Sequence, residues 1–406
     1  MLIVVLVLVL LFVSARIVLG IYHGYFTEHA FDGIEYEVRV DRDELFESEY
    51  VSLSQTVTNR GKRAIPCLKM QTLLPEGLWF VLPDTRQVSA RRDKLLSDVE
   101  SIFHLPPRTT VTRRFRILCT HRGVFRLAPA TLVRRDMTGM RTVSRSFGEE
   151  SELRPLTVLP RALWELRDIA LTSCFEGHTV SRDGLVPDPT LVIGARDYTT
   201  LDPFRSIHWK ASARLGHLMV RETEQQKNDV YSIVLNMQSR LLEPHGGTEI
   251  STPANIEGCI SVCASLLDSA VTANTPVRLY ANLPTGHGNA YLYESDEVRT
   301  ARDLHLAYCS LAAIPMKMSM TLERMLDLIL EDPFRYCRSG NMLLVSSYLG
   351  RRMISFWEEM QRRRCRVIFF ITTDYQNEFD LPEGMEVWYR YRNGGFGKEV
   401  PHESAS

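Results

Sequence analysis

The chain opens on an almost unbroken apolar run. Residues 1–13 are aliphatic or Phe, residues 14–16 read Ser-Ala-Arg, and residues 17–22 are apolar again. Together they have about the length that crosses a bilayer as one helix, so the pattern predicts a membrane anchor over residues 1–22. A secretory signal carries Lys or Arg ahead of its apolar core. Here the first positive charge is Arg16, on the C-terminal side of the main run. By the positive-inside rule this predicts a single-pass protein whose soluble part is cytoplasmic. Arg16 lies near enough to the end of the span to snorkel. A signal sequence cleaved near residues 13–15 is the alternative.

From residue 35 the pattern changes to alternation. Tyr36, Val38 and Val40 alternate with polar residues, as do Val51, Leu53, Gln55 and Val57. Leu68 with Met70, and Val111, Arg113, Phe115 and Ile117, follow the same period of two. Turn signals at residues 58–62, 74–77 and 106–108 separate these runs. Short alternating strands at this spacing predict a small β-sandwich of immunoglobulin-like type over residues 35–160. Residues 162–189 are a mixed connector without a clear period.

Beyond residue 229 the period changes again. Predominantly apolar segments at residues 230–235, 277–283, 342–346, 367–372 and 386–391 read as strands. Helical patterns occupy residues 256–271, 296–314, 320–330 and 353–364; the first has Ile260, Cys263, Leu266 and Leu267 on one face. Alternating strands and helices predict an α/β fold with a mostly parallel sheet covered on both faces. The chain is therefore expected to be a multidomain α+β protein. Its parts are an anchor (1–22), a sandwich (35–160), a connector (161–228), an α/β domain (229–392) and a flexible tail (393–406).

Composition changes this picture little. Lys and Arg number 48 against 49 Asp and Glu, so net charge offers no argument for nucleic acid. None of the eight cysteines forms a CxxC pair, and their scatter fits a reducing compartment. Cys259 and Cys263 stand one helical turn apart beside Leu266 and Leu267, which predicts core packing rather than metal binding. No phosphate-binding loop, nucleophile elbow or paired-histidine zinc motif is present. The residues name no reaction, cofactor or small-molecule substrate, and the expectation is a protein that is not an enzyme.

Candidate chemistry is concentrated in residues 194–224, which hold a Trp, four Arg, a Lys, two Asp and two His. Asp202 and Pro203 mark a turn. Residues 204–215 have a broken helical pattern with Ile207, Ala211 and Leu215 on one face, and residues 218–221 read as a short strand. The first expectation is a structural clasp at the seam between sandwich and α/β domain. Trp209 would be buried, and Arg196, Arg205, Lys210 and Arg214 would pair with Asp197, Asp202, Glu222 and Glu224. The second is a recognition surface in which the same cations face an anion or an acidic partner. The third is catalysis by His208 with Asp202, for which six residues of separation define no geometry.

The spacing of Arg196, Tyr198, Asp202, Arg205, Ile207, Trp209, Lys210, Ser212, Ala213 and Arg214 resembles the signature of the bacterial domain of unknown function 58 family. The family has Gly where this chain has Leu201 and Asp where it has His208. Residues 121–127 and 135–140 resemble, in part, the segments that precede the signature, with Phe125, Met137 and Met140 departing from them. The resemblance implies that residues 229–392 form a Rossmann-like domain of von Willebrand factor type A kind. Such domains hold a divalent cation with Asp-x-Ser-x-Ser at the end of the first strand. Here Asn236, Gln238 and Arg240 stand at those places, and the fourth strand ends without Asp at residues 344–347. With no anionic ligand and a guanidinium nearby, the expectation is no metal, leaving Asn236 and Ser239 as a polar surface for partners. The resemblance also implies partnership with MoxR-type AAA+ ATPases in a chaperone-like or assembly role at the bacterial envelope. Two competing readings remain: an outward-facing metal-dependent adhesion domain, and a hydrolase using His208 and Asp202.

Overall fold

The computed structural model describes residues 2–83, 93–127, 130–136, 139–148, 155–175, 185–198, 207–227, 230–238, 253–284, 292–372, 380–390 and 395–398. The chain divides into two compact units, Met1–Pro160 and Arg161–Ser406.

The first unit begins with helix α1 (Leu2–His29), which runs past the predicted end of the anchor at residue 22. Its stretch Leu6–His29 is long and apolar enough to cross a membrane, and residues 6–18 of it are exposed. The strands that follow are β1 (Ile34–Val40), β2 (Glu44–Phe46), β3 (Tyr50–Asn59), β4 (Ile65–Leu73), β5 (Leu78–Pro83) and β6 (Asp93–Leu96). Then come β7 (Asp98–Leu105), β8 (Thr110–Cys119), β9 (Gly123–Phe125), β10 (Ala130–Arg135), β11 (Thr142–Phe147) and β12 (Leu156–Leu159). An antiparallel sheet in the order β1-β3-β8-β5-β6 faces a second in the order β11-β10-β4-β7; a small third sheet runs β2-β12-β9.

The alternation along β3 explains why this region folds as two packed layers. Val51 and Leu53 enter one core cluster with Leu74, Phe80 and Ile117. Val57 enters another with Leu68, Met70, Phe103 and Leu132. Gln55 lies between them on the same buried face. Its amide donates to Tyr36 Oη and Thr72 Oγ1, both at 2.9 Å, and its carbonyl accepts from Thr72 at 3.2 Å. Burial of a side-chain amide is tolerated where each polar atom is partnered in this way. The same burial pushes the Tyr36 phenol up to about 12.

The C-terminal end of α1 belongs to that core. Phe26, Ala30 and Phe31 are buried in the cluster with Val57 and Leu68. Arg134 of β10 lies over the Phe26 ring at 5.2 Å and donates to the Ala30 carbonyl. A cation bonded to the last carbonyls of a helix also complements the negative end of its dipole. His23 contacts the buried Asp136 carboxylate at 3.1 Å.

The second unit contains α2 (Trp164–Ala170), β13 (Leu185–Asp197), α3 (Trp209–Leu215), β14 (Met219–Lys227), β15 (Tyr231–Leu235) and α4 (Pro253–Thr272). It continues with β16 (Val277–Ala281), β17 (Tyr293–Glu294), α5 (Ala301–Ala313), α6 (Leu322–Glu331) and α7 (Pro333–Tyr336). β18 (Asn341–Ser346), α8 (Arg351–Arg362), β19 (Arg366–Ile371), β20 (Glu386–Arg390) and β21 (Phe396–Gly397) complete it. The main sheet runs β17-β16-β15-β18-β19-β20-β21, with parallel pairing from β16 to β20 and antiparallel strands at both edges. Met342, Leu344, Val367, Phe369 and Ile371 join α6 and α8 in one cluster. With a period of two, Leu343, Val345, Ile368 and Phe370 face the other way, toward the side on which α4 packs against β15 and β18.

Two differences from the sequence reading stand out. The stripe expected on α4 is wider: Cys259, Cys263 and most other apolar residues around the helix are buried, because α2 and α5 also pack on it. The segment expected to be a mixed connector contains α2 and β13, and the short strand expected at residues 218–221 is β14, which continues to Lys227 and pairs antiparallel with β13. Helix α2 is too short for its two buried residues, Leu166 and Ala170, to show a period. It is fixed instead by α4, where Ser265 Oγ accepts from the Leu163 N–H at 2.7 Å.

Removing residues 1–22 is expected to leave the thermal midpoint of the first unit close to that of the full chain. Removing residues 1–31 takes Phe26, Ala30 and Phe31 away and is expected to cost about 3–6 kcal/mol, since burying a Phe contributes roughly 1.5–3 kcal/mol. Thermal unfolding of the two truncations side by side checks this; equal midpoints would mean that the end of α1 contributes nothing to the core.

Candidate functional site

The segment from Ile207 to Val220 is built around one buried hydroxyl. Helix α3 starts at His208, whose Nδ1 accepts from the Ala211 N–H at 3.2 Å as an N-cap. It ends at Gly216, whose φ of 73° is the left-handed conformation that glycine adopts without strain. Ser212 sits midway and is buried. Its Oγ accepts the Met219 N–H at 2.8 Å and lies 3.1 Å from the His208 carbonyl. The His208 N–H in turn donates to the Met219 carbonyl at 2.7 Å, and the Tyr198 N–H to the Leu218 carbonyl at 2.9 Å. Ile207, 1% exposed, bridges Val220. Helix and strand thus share a short set of backbone bonds with Ser212 at its centre.

The outer face of α3 is open. Trp209 is 64% exposed, Leu215 and Leu218 are exposed, and so are Lys210 and Arg214. Among the described residues Lys210 and Arg214 pair with no carboxylate. This corrects the expectation that Trp209 is buried. Asp197 bonds to His217 at 2.9 Å, and the side chains of Glu222 and Glu224 lie outside the described residues. The expected helix from residue 204 begins at Trp209, and Leu215, placed on its apolar face, is exposed. Asp202, Arg205 and the Arg196 side chain lie outside the described residues, so the His208–Asp202 pair does too.

The second candidate lies at the carboxyl ends of β15, β16 and β18. Asn236 is fully buried, and its Nδ2 donates to Ser346 Oγ at 3.0 Å and to the Gln238 carbonyl at 3.2 Å. Its Oδ1 accepts from the Gln238 N–H at 3.0 Å and from Asn282 Nδ2 at 3.2 Å. Asn282 also donates to the Met320 carbonyl at 3.0 Å and accepts from the Met237 N–H at 2.7 Å. Gln238 Oε1 accepts from the Leu322 N–H at 2.6 Å, at the start of α6. Ser347 Oγ donates to the Gln238 carbonyl at 3.2 Å.

These are neutral amides and hydroxyls that bond to one another and to the neighbouring backbone. A divalent cation prefers carboxylate oxygens, and among the described residues none bonds to Asn236. The place read as a degenerate metal site is therefore an internal amide lattice. The expected polar surface at Asn236 is corrected, since the residue is buried; Ser239 and Arg240 lie outside the described residues. Sequence reasoning missed Asn282. Its signal was an Asn directly after the apolar run of β16, where a parallel strand buried on both faces ends.

Residues 194–385 match the model of a family described as Protein of unknown function DUF58. The match begins at the signature stretch and supports the resemblance carried by it. No curated protein matches the chain. Among solved structures, the sporulation control protein Spo0M from Bacillus subtilis aligns at 15% identity over 34% of this chain and 54% of its own, with a TM-score of 0.20. A native alpha-2-macroglobulin from Escherichia coli aligns at 10% identity over 31% and 23%, with a TM-score of 0.23. The CARDB domain of a Pyrococcus furiosus protein aligns at 11% identity over 29% and 90%, with a TM-score of 0.17. Likeness at these scores does not establish a shared fold.

Ser212→Ala leaves the Met219 N–H without its acceptor and is expected to cost about 1–3 kcal/mol. Trp209→Ala, at an exposed position, is expected to stay within about 0.5 kcal/mol of wild type. Denaturant unfolding compares the two; a large loss for Trp209→Ala and none for Ser212→Ala would restore the buried clasp.

Asn236→Asp puts an anion where Nδ2 now faces the Gln238 carbonyl. A cost of about 3–5 kcal/mol is expected at neutral pH, the range for an uncompensated buried charge. Burial raises the pKa of such a carboxyl, so the deficit is fully present well above the ordinary aspartate range and narrows as the pH falls into it. A pH series of melting curves measures this, and a deficit that widens in acid would contradict it. Calorimetric titration of the wild type with Mg²⁺ is expected to show no sub-millimolar binding.

Proposed function

We propose, from the DUF58 match over residues 194–385 and the open face of α3, that this chain is a membrane-anchored interaction protein without enzymatic activity. In this reading α1 anchors the chain by a single pass, with the soluble part on the cytoplasmic side. The first unit is an immunoglobulin-like sandwich and the second a von Willebrand factor type A-like domain. The parallel core of the main sheet, with an antiparallel edge after β16, supports the second assignment. The partner is a MoxR-type AAA+ ATPase, and the joint role is chaperone-like assembly or maturation at the bacterial envelope. Partner and role rest on the resemblance of the signature.

The observation that carries the reading is the division of labour within α3. Ser212 and Ile207 hold the element from inside, so Trp209, Lys210 and Arg214 are not needed for its folding. An exposed indole beside two cations that pair with no carboxylate among the described residues suits an acidic or aromatic partner surface, because Trp and Arg are the side chains that most often dominate binding energy. The hydrolase reading has less support, since His208 Nδ1 is engaged as the helix cap. The adhesion reading has less support because Asn236 and its neighbours bond to one another.

Affinity capture from detergent-solubilised membranes, with and without ATP, tests the proposal. The wild type is expected to retain an AAA+ ATPase. The double variant Trp209→Ala/Lys210→Ala is expected to lose roughly tenfold or more of it, about 1.4 kcal/mol, with an unchanged melting curve. Equal recovery by both forms, or no AAA+ ATPase in either nucleotide condition, would sink it.

A further inference from the structure

The side of the main sheet opposite the amide lattice, where β18 and β19 begin, brings two cysteines together. Cys337 closes a tight turn after α7, in which the Gly340 N–H donates to the Cys337 carbonyl at 3.2 Å. Gly340 takes a φ of 75° to complete it. Cys365 lies three residues beyond the end of α8, and its N–H donates to the Met360 carbonyl at 2.9 Å. Arg364, just before it, takes a φ of 59°.

The two turns touch. The Arg366 N–H donates to the Gly340 carbonyl at 2.7 Å, and the Arg364 carbonyl oxygen lies 3.6 Å from where a Cβ on Gly340 would stand. Asn341 and Arg366 then open the parallel pairing of the two strands. This juxtaposition packs Cys365 against the buried cluster that contains Cys337, with the Cys365 thiol donating to the Arg363 carbonyl at 3.7 Å. Cys337 is buried in the core cluster under α6 and α8, and Cys365 is half-buried at its edge. Both are unbonded thiols.

The surroundings distinguish the two sulfurs. Cys365 lies in the run Arg362, Arg363, Arg364, Cys365, Arg366. The hydrogen bond from Cys337 holds the Cys365 thiol below its ordinary range, against the effect of its burial, and the charge of Arg363 adds to the lowering. The same bond, with burial, pushes the Cys337 thiol up. A half-exposed, cation-flanked thiol beside a buried partner is the arrangement of an attacking and a resolving cysteine. The other buried cysteines lack it: Cys119 and Cys259 are each pushed up to about 12, burial being the main cause.

We propose that Cys337 and Cys365 form a reversible dithiol–disulfide pair, closed by hydrogen peroxide acting first on Cys365. The Cys365 thiolate attacks one peroxide oxygen. The O–O bond breaks, hydroxide leaves, and Cys365 becomes a sulfenic acid. Cys337 Sγ then attacks the Cys365 sulfur, forming the S–S bond; the Cys337 proton leaves with the sulfenic oxygen and its hydrogen as water. Both thiols are oxidised by one electron each, and the peroxide is reduced to two waters. A dithiol reductant reverses the step by exchange. The bond staples the starts of β18 and β19 while leaving the amide lattice at their far ends untouched.

Peroxide treatment of the full-length protein in detergent, followed by alkylation and peptide mapping, tests the pair. The expected product is a Cys337–Cys365 cross-linked peptide, absent after dithiothreitol, and an upward shift of several degrees in thermal midpoint. The exposed Cys67 serves as an internal reference and is expected to stay reduced at peroxide levels that close the pair. In Cys337→Ala the sulfenic acid on Cys365 is expected to persist long enough for trapping by dimedone. The wild-type map decides the question even if that variant folds poorly. Sulfinic or sulfonic acid at Cys365 without the cross-link would overturn the proposal. So would a cross-link that appears only after unfolding in denaturant, or oxidation of Cys67 ahead of Cys365.

Discussion

A strand that is covered on both faces has no dry place for a polar side chain along its length, so its polar groups collect at its ends. That constraint organises the second unit. β15 is buried at every position, and β18 and β19 at all but the first. Where the strands stop, Asn236, Gln238, Asn282, Ser346 and Ser347 meet and bond to one another. Their joint effect is to tie three strand ends and the start of α6 into one rigid corner. A single misplaced charge there meets a fixed set of donors and acceptors with no water to soften it.

The pair β13–β14 and helix α3 obey a different rule. They are too small to have a core of their own, and their order comes from backbone bonds gathered on Ser212. A hydroxyl performs this task because α3 lies directly against the chain of β14. Such close approach admits a small side chain and excludes an indole. Trp209 is outside for that reason, and the apolar surface it offers costs the fold little.

The long elements were legible in the sequence because burial writes itself as period. Predominantly apolar segments announced β15, β18 and β19, and alternation announced β3 and β8, each within a few residues of its observed bounds. α1 was legible by length alone, although its continuation to His29 was not, since Phe26 and Phe31 gain their meaning only from Leu68 and Met70. The site was legible in part. Ser212 and Trp209 were found by spacing, but which of them faces inward depends on Met219, and composition favoured the Trp. Asn236 was recognised as an unlikely cation ligand from the residues around it. Its burial was invisible, because the groups that enclose it arrive from Asn282, Met320 and Ser346, far along the chain.

The end of α1 has a mechanical meaning. A flexible linker after a membrane span lets a soluble unit tumble and drift from the bilayer. Here the last two turns of the helix, from His23 to His29, run into the core of the sandwich and are clasped by Arg134. At about 1.5 Å of rise per residue those turns stand the unit roughly 10 Å off the span and give it one orientation relative to the helix axis. In the proposed anchored state, rotation of the helix within the lipid would be rotation of the sandwich, and a tilt of one a tilt of the other. As the proposed anchor, such a helix is an axle rather than a tether, through which lipid thickness and helix tilt would reach the folded unit as torque.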